Sequence, residues 1–199
     1  MSSIADTIAA FKRGEMVVVM DDESRENEGD LIIAASAMTP AKTAFILRHT
    51  TGILCVALSG EMAERLELDP MVGRRGNTDP KGTAFTVTCD VVKGITTGAS
   101  AFDRCMTCMS LADPKAVPED FTRPGHVFPL IAKPRGVLER RGHTEAAVDL
   151  CKLAGMSPAG AICAFWGDGG LRVMCVCCCL SYVSCVSCVS CVCQVRLCG

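Results

Sequence analysis

The chain has 199 residues, 49% of them hydrophobic, with 20 basic side chains against 22 acidic ones, a net charge of −2 and a pI near 5.9. That length supports one domain with a sizeable core, and the charge balance leaves no basic field for nucleic acid. Met1 to Gly14 contains Asp6 and no apolar run of signal-peptide type, so no secretory leader is expected and the expected location is cytoplasmic.

The first segment reads as a short amphipathic helix. Ser2 or Ser3 caps it, Ile4, Ile8 and Phe11 share a face, and Gly14 stops it. Two short apolar runs follow, Met16 to Met20 and Leu31 to Ala35, which predict buried strands. Between them lies Asp21-Asp22-Glu23-Ser24-Arg25-Glu26-Asn27-Glu28-Gly29-Asp30, with six carboxylates and one guanidinium. A loop so charged repels itself unless a cation or polar ligand sits among the carboxylates. A solvated acidic turn is the plain alternative, but Arg25 beside Glu26, and Gly29 freeing the backbone before Asp30, suit a ligand cradle. Oxygen donors of this type fit Mg2+ or Mn2+.

Thr39-Pro40 opens a helix running towards His49 and ended by Gly52. Ile53 to Leu58 predicts a strand and Gly60 to Leu68 a short helix. Asp69 to Gly82, rich in Pro and Gly, reads as a mobile loop long enough to carry function. Ala84 to Cys89 predicts another strand. Gly94 to Ser100 is a small-residue turn before a helix over Ala101 to Ala112, suited either to an anion or to tight packing. Asp113 to Pro124 is a connection. Past Arg140-Arg141-Gly142-His143-Thr144 the pattern turns helical, with Ala147, Leu150, Cys151 and Ala154 on one buried face. Arginines, a glycine and a threonine at a helix N-terminus suit a phosphate. His126 and His143 both stand at glycine-flanked turns, which favours function over a structural role.

Of the 15 cysteines, nine fall between Cys175 and Cys198. The other six, Cys55, Cys89, Cys105, Cys108, Cys151 and Cys163, read as reduced core thiols. Cys105 and Cys108 have metal-clip spacing, but on a helix they place two small apolar groups on one face.

Four separated segments carry a resemblance: the acidic stretch from Asp21 to Leu31, Thr96-Thr97-Gly98, Arg123 to Leu130, and Arg141 to Ala146. In this order they resemble the signature segments of the 3,4-dihydroxy-2-butanone 4-phosphate synthases of riboflavin biosynthesis. The resemblance implies an α+β fold with a mixed β-sheet between helical layers, and a homodimer with active sites near the subunit interface. It also implies conversion of D-ribulose 5-phosphate to L-3,4-dihydroxy-2-butanone 4-phosphate and formate with Mg2+ or Mn2+. By position, Glu26 and His143 become metal ligands. Arg25, Glu26, Asp30, Arg140, Arg141, Gly142, His143 and Thr144 become the substrate-holding set, and His126 becomes the proton-transfer residue. The Asp69 to Gly82 loop is the expected lid.

Three positions depart from the family pattern. Ser24 stands where aspartate is usual, and Met109 where arginine is common. Ala164 stands where the family has a glutamate that works as acid and base, and a methyl group relays no proton. Two functions follow: the enzyme, slowed or silenced by Ala164, or a non-catalytic sugar-phosphate-binding or dimer-partner homologue. The family-like domain is expected over residues 1–170. Residues 171–199 read as low-complexity sequence in place of the family's last strand and helix, with Val-Ser-Cys repeated between Val183 and Cys191. The uncharged run from Val173 to Val195 also leaves a membrane anchor open, and Cys185, Cys188 and Cys191 a soft-metal clip.

Overall fold

The protein is described here from a computed structural model, which covers residues 3–22, 24–73, 76–165 and 193–196. The Ser3 hydroxyl accepts the Asp6 amide and opens α1 (Ile4–Lys12), which stops before Gly14 as its sequence predicts. Its buried face is Thr7, Ala10 and Phe11, while Ile4 is 64% exposed, so the apolar stripe sits one step round from the predicted one. The two apolar runs become β1 (Val17–Met20) and β2 (Gly29–Ala34), an antiparallel pair joined by the acidic segment. Thr39 caps α2 (Pro40–His49) through the Lys42 amide, with Pro40 in the first turn. There follow β3 (Cys55–Leu58), α3 (Gly60–Arg65), β4 (Cys89–Val91), α4 (Ala101–Leu111), β5 (Phe121–Ile131), α5 (His143–Leu153), β6 (Ala159–Phe165) and β7 (Cys193–Arg196).

The strands form one mixed sheet in the order β4-β5-β3-β6-β2-β1-β7. The β3–β5 and β1–β7 pairs are parallel and the others antiparallel. Strand side chains alternate between the two faces. On one face Val18, Leu31, Ile33, Val56 and Leu58 pack under Ile46 of α2, Met62 of α3 and Cys105, Cys108 and Leu111 of α4. On the other, Val17, Val19, Ile32, Ala57 and Ile162 pack under Phe11 of α1 and Ala147, Leu150 and Cys151 of α5. This is the expected mixed sheet between helical layers.

Two predicted elements move. Residues 84–88 make only isolated bridges, Pro70 to Thr86 and Phe85 to Leu130, and the regular strand begins at Cys89. The connection predicted over Asp113 to Pro124 ends early, because Phe121 already begins β5, the longest strand of the sheet. Ladder pairing there jumps from Cys89–Val127 to Asp90–Thr122, so residues 123–126 are bulged out of β5. Gly125 allows it: a Cβ there would stand 2.1 Å from the Cys89 carbonyl carbon. All six body cysteines are buried free thiols, as read from the sequence. Cys185, Cys188 and Cys191, and with them the anchor and metal-clip readings of the tail, lie outside the described residues. Among the described residues no helix is long and apolar enough to cross a membrane.

Candidate active site

The acidic loop is organised by its first residue. Asp21 is fully buried, and its carboxylate accepts the Glu28 amide at 2.9 Å, the Glu26 amide at 3.2 Å and Arg25 Nη1 at 2.6 Å. Asp22 accepts the Ser24 amide in the same loop. The left-handed residue is Asn27, at φ 53°, a conformation that asparagine tolerates. Gly29, assigned that freedom from sequence, is instead the first residue of β2. The geometry turns Arg25 and Glu26 onto the cavity side, and Arg25 Nη1 donates to Glu26 Oε2 as well as to Asp21.

The second half of the site comes from α5. Gly142 is its N-cap residue, and His143 and Thr144 form the first turn. The His143 ring is buried, with Nδ1 4.0 Å from Glu26 Oε2 and 3.7 Å from Asp30 Oδ1. Its Nε2 is buried and has no hydrogen-bond partner among the described residues. Asp21, Glu26 and His143 each offer one ligand atom, and these atoms lie within 4.8 Å of one another. Two carboxylates and an imidazole suit a divalent cation, so the residues present fit the metal that the sequence suggests.

Glu26 and His143 face a cavity of about 240 Å³, while Asp21 is buried beside them and outside its lining. Arg25, Glu26, Asp30, Arg140, His143 and Thr144 line it together with Glu28, Cys55, Cys163 and Ala164. Asp30 is paired across the sheet with Ala164. Burial pushes the Asp30 carboxyl up to about 6; the His143 charge opposes this, and the Glu28, Glu26 and Asp21 charges add to it. Burial alone would lower Arg25, but its hydrogen bond to Asp21 and the charge of Glu26 outweigh that and raise it. Arg140 Nη1 meets the buried Glu145 at 2.7 Å, while Nε donates to the Lys81 carbonyl and Nη2 to Thr83 Oγ1. Lys81 Nζ reaches across to the Arg25 carbonyl at 2.7 Å. The loop after Gly76 is thereby tied to both halves of the site.

Three sequence-predicted residues lie outside the cavity lining. Arg141 is exposed, and Gly142 serves as the helix cap. His126 stands at the end of the β5 bulge, four residues or about 13 Å along the strand from the cavity residue Leu130. Its Nδ1 pairs with Asp90 Oδ2 at 2.6 Å, the Asp90 Oδ1 accepts its amide at 2.9 Å, and the ring is 42% exposed. Gly98, at φ 86°, packs onto this pair, where a Cβ would lie 2.0 Å from Asp90 Oδ2. The turn around it is no anion seat: the Thr96 amide and hydroxyl and the Gly98 amide all donate to the carboxylate of Asp103. Of the two sequence readings of that turn, packing holds.

Asp21 and Asp90 are the two carboxylates of this arrangement that sequence reasoning did not single out. Nothing marks Asp21 among six neighbouring acids except its place directly after a buried strand. Asp90 sits in an apolar-flanked segment, Cys89-Asp90-Val91, where a lone buried acid was itself the clue.

A mixed sheet whose acidic hairpin and helix N-terminus bring two carboxylates and a histidine together beside one cavity defines a small-molecule site whose donor set suits a divalent cation. Known proteins make the class specific. The sequence profile of the 3,4-dihydroxy-2-butanone 4-phosphate synthases matches residues 5–178. The chain is 53% identical over 170 residues to the 3,4-dihydroxy-2-butanone 4-phosphate synthase of Agrobacterium fabrum, covering 85% of this chain and 79% of that one. It is 53% identical over 165 residues to the Candida albicans synthase, covering 83% and 80%. A crystal structure of a 3,4-dihydroxy-2-butanone 4-phosphate synthase in complex with two magnesium ions superposes with a TM-score of 0.81 at 49% identity, covering 87% of this chain and 82% of that one. The chain belongs to the 3,4-dihydroxy-2-butanone 4-phosphate synthase family.

Proposed function

We propose that this chain acts on D-ribulose 5-phosphate, the substrate converted by its family to L-3,4-dihydroxy-2-butanone 4-phosphate and formate, as a cytoplasmic homodimer using Mg2+ or Mn2+. The observation that carries this is the convergence of Glu26 and His143, from elements more than a hundred residues apart, on one cavity, with the buried Asp21 offering a third ligand atom within 4.8 Å. Glu26 and His143 would hold a divalent ion, which would supply a Lewis acid for the reaction of the ketose. Arg25, Asp30, Arg140 and Thr144 on the cavity wall hold the sugar phosphate, with the α5 N-terminus, opened by Gly142, directed at its negative charge. The loop from Asp69 to Gly82 closes the site. Buried free thiols accord with a reducing compartment.

His126 carries the features of a proton-transfer group: a buried carboxylate on Nδ1 orients the ring and leaves its other edge to solvent. Because it lies outside the lining of its own cavity, about 13 Å along β5, it serves the cavity of a partner copy in this reading.

Ala164 lines the cavity opposite Asp30, and its methyl supplies no acid or base. Glu145 is no substitute, since its carboxylate is held by Arg140 and the Lys133 amide. The chain therefore binds substrate and metal but turns over slowly. Formate release from ribulose 5-phosphate with Mg2+, measured beside Ala164→Glu, tests this, with the variant expected to be at least about a hundredfold faster. Equal rates would defeat it. The same position favours a second reading, a binding homologue without turnover. Calorimetric binding of ribulose 5-phosphate with no formate in either protein would select that one.

A further inference from the structure

One guanidinium nitrogen sits among the metal-binding carboxylates. Arg25 Nη1 donates to Asp21 Oδ2 at 2.6 Å and to Glu26 Oε2 at the same time. Glu26 Oε2 is also the atom 4.0 Å from His143 Nδ1. The two carboxylates that, with His143, offer a cation site are thus bridged by a positive charge belonging to the chain itself. We infer that Arg25 is a built-in cation that holds Asp21 and Glu26 together until a divalent ion arrives, and that the ion displaces the guanidinium, which then turns to the substrate phosphate. This rests on the metal site proposed above.

The physical case is one of competition. Asp21 is fully buried, and the Arg25 side chain is 16% exposed. An uncompensated carboxylate in such a place is costly, so the loop requires a cation at all times. Two cations on the same carboxylate oxygens repel strongly where water is scarce. Asp21 Oδ1 accepts the Glu28 amide and Oδ2 the Glu26 amide, so both loop contacts survive the exchange, and only the guanidinium partner of Oδ2 and of Glu26 Oε2 is replaced. A released guanidinium remains on the cavity wall, where its planar fork suits a phosphate dianion. Metal then binds first and the sugar phosphate second, because only the metal-bound form presents Arg25 free.

A guanidinium that merely stapled the loop would give the opposite sign on removal. The test is titration of Mn2+ into wild type, Arg25→Gln and Arg25→Lys without substrate, followed by calorimetry, with Glu26→Gln as the control. Arg25→Gln should bind Mn2+ about tenfold or more tightly than wild type, since a competing charge is gone. Arg25→Lys should stay within about threefold of wild type, since the charge is kept. Equal or weaker binding by Arg25→Gln, with Glu26→Gln weakened, would overturn this inference alone. Full Mn2+ affinity in Glu26→Gln would overturn the metal site and this inference with it. Should Arg25→Gln fail to fold, the 15N-edited side-chain signal of Arg25 in wild type decides. It should shift on saturation with Mg2+, and an unmoved signal would refute the exchange.

Discussion

Asp30 shows most clearly what the site costs. It is the second residue of β2, lines the cavity, is 6% exposed, and has His143 Nδ1 3.7 Å away. Its carboxyl, raised from 3.8 to about 6, holds its proton more firmly in the folded chain than in the unfolded one. Below pH 4 both states are protonated and the shift has no effect. As pH rises from 4 to 6 the unfolded chain ionises first, so the metal-free protein loses stability across that window and stays weakened above it. A shift of about two units corresponds to roughly 3 kcal/mol. Asp30→Asn should therefore stabilise the metal-free protein by on the order of 2–3 kcal/mol at pH 7 and by little at pH 4. Urea unfolding at both pH values measures it, and an equal effect at both would show that Asp30 is not raised. Mg2+ should narrow the gap at pH 7, because a nearby cation favours the ionised form.

The elements were legible where local chemistry decides them. Thr39-Pro40 and the apolar runs on either side of the acidic loop carry their own signals, and they form α2, β1 and β2 close to the predicted places. The acidic loop and the Arg140 to Thr144 segment were also readable as a site, because so many charges and an open helix end have few purely structural uses. β5 was not readable. Thr122-Arg123-Pro124-Gly125 spells a turn, and only the pairing of the residues on either side of it, Phe121, Thr122 and Val127 with β4 and Phe128 to Ile131 with β3, carries the strand past it as a bulge. The same bulge places His126, so its separation from the cavity was hidden for the same reason. The turn at Gly94 to Ser100 is settled by a local contact, the Asp103 carboxylate in the first turn of α4, which gathers its amides and is lowered as those hydrogen bonds outweigh burial. Because that turn seats Gly98 against Asp90 and His126, Asp103→Ala should lower the urea midpoint. It should also loosen the His126 ring, read as moved or broadened His126 ring signals in the NMR spectrum. A lower midpoint with unmoved His126 signals would confine Asp103 to α4.

At the scale of the whole molecule, the cavity and the His126–Asp90 pair occupy different parts of one sheet. The β4–β5 side also carries unpartnered apolar groups: Val92 just past β4, and Phe102 and Met109 on α4, which packs against β4, are 49%, 49% and 39% exposed. Exposed apolar residues beside a prepared histidine suit a second copy of the chain better than solvent. If the copies exchange His126 across that surface, each active site is composite, and inactivating substitutions in different halves must complement. Glu26→Gln and His126→Ala, each in an Ala164→Glu background, should be nearly inactive alone. Unfolded together and refolded at equal amounts, half of the dimers are mixed, and each mixed dimer has one site with neither substitution. About a quarter of the parent activity should return. Phe102→Asp with Met109→Glu should abolish that recovery by preventing association, which sedimentation detects independently. No recovery in mixtures that sedimentation shows to be dimeric would return His126 to its own chain and leave the partner without a part in the chemistry.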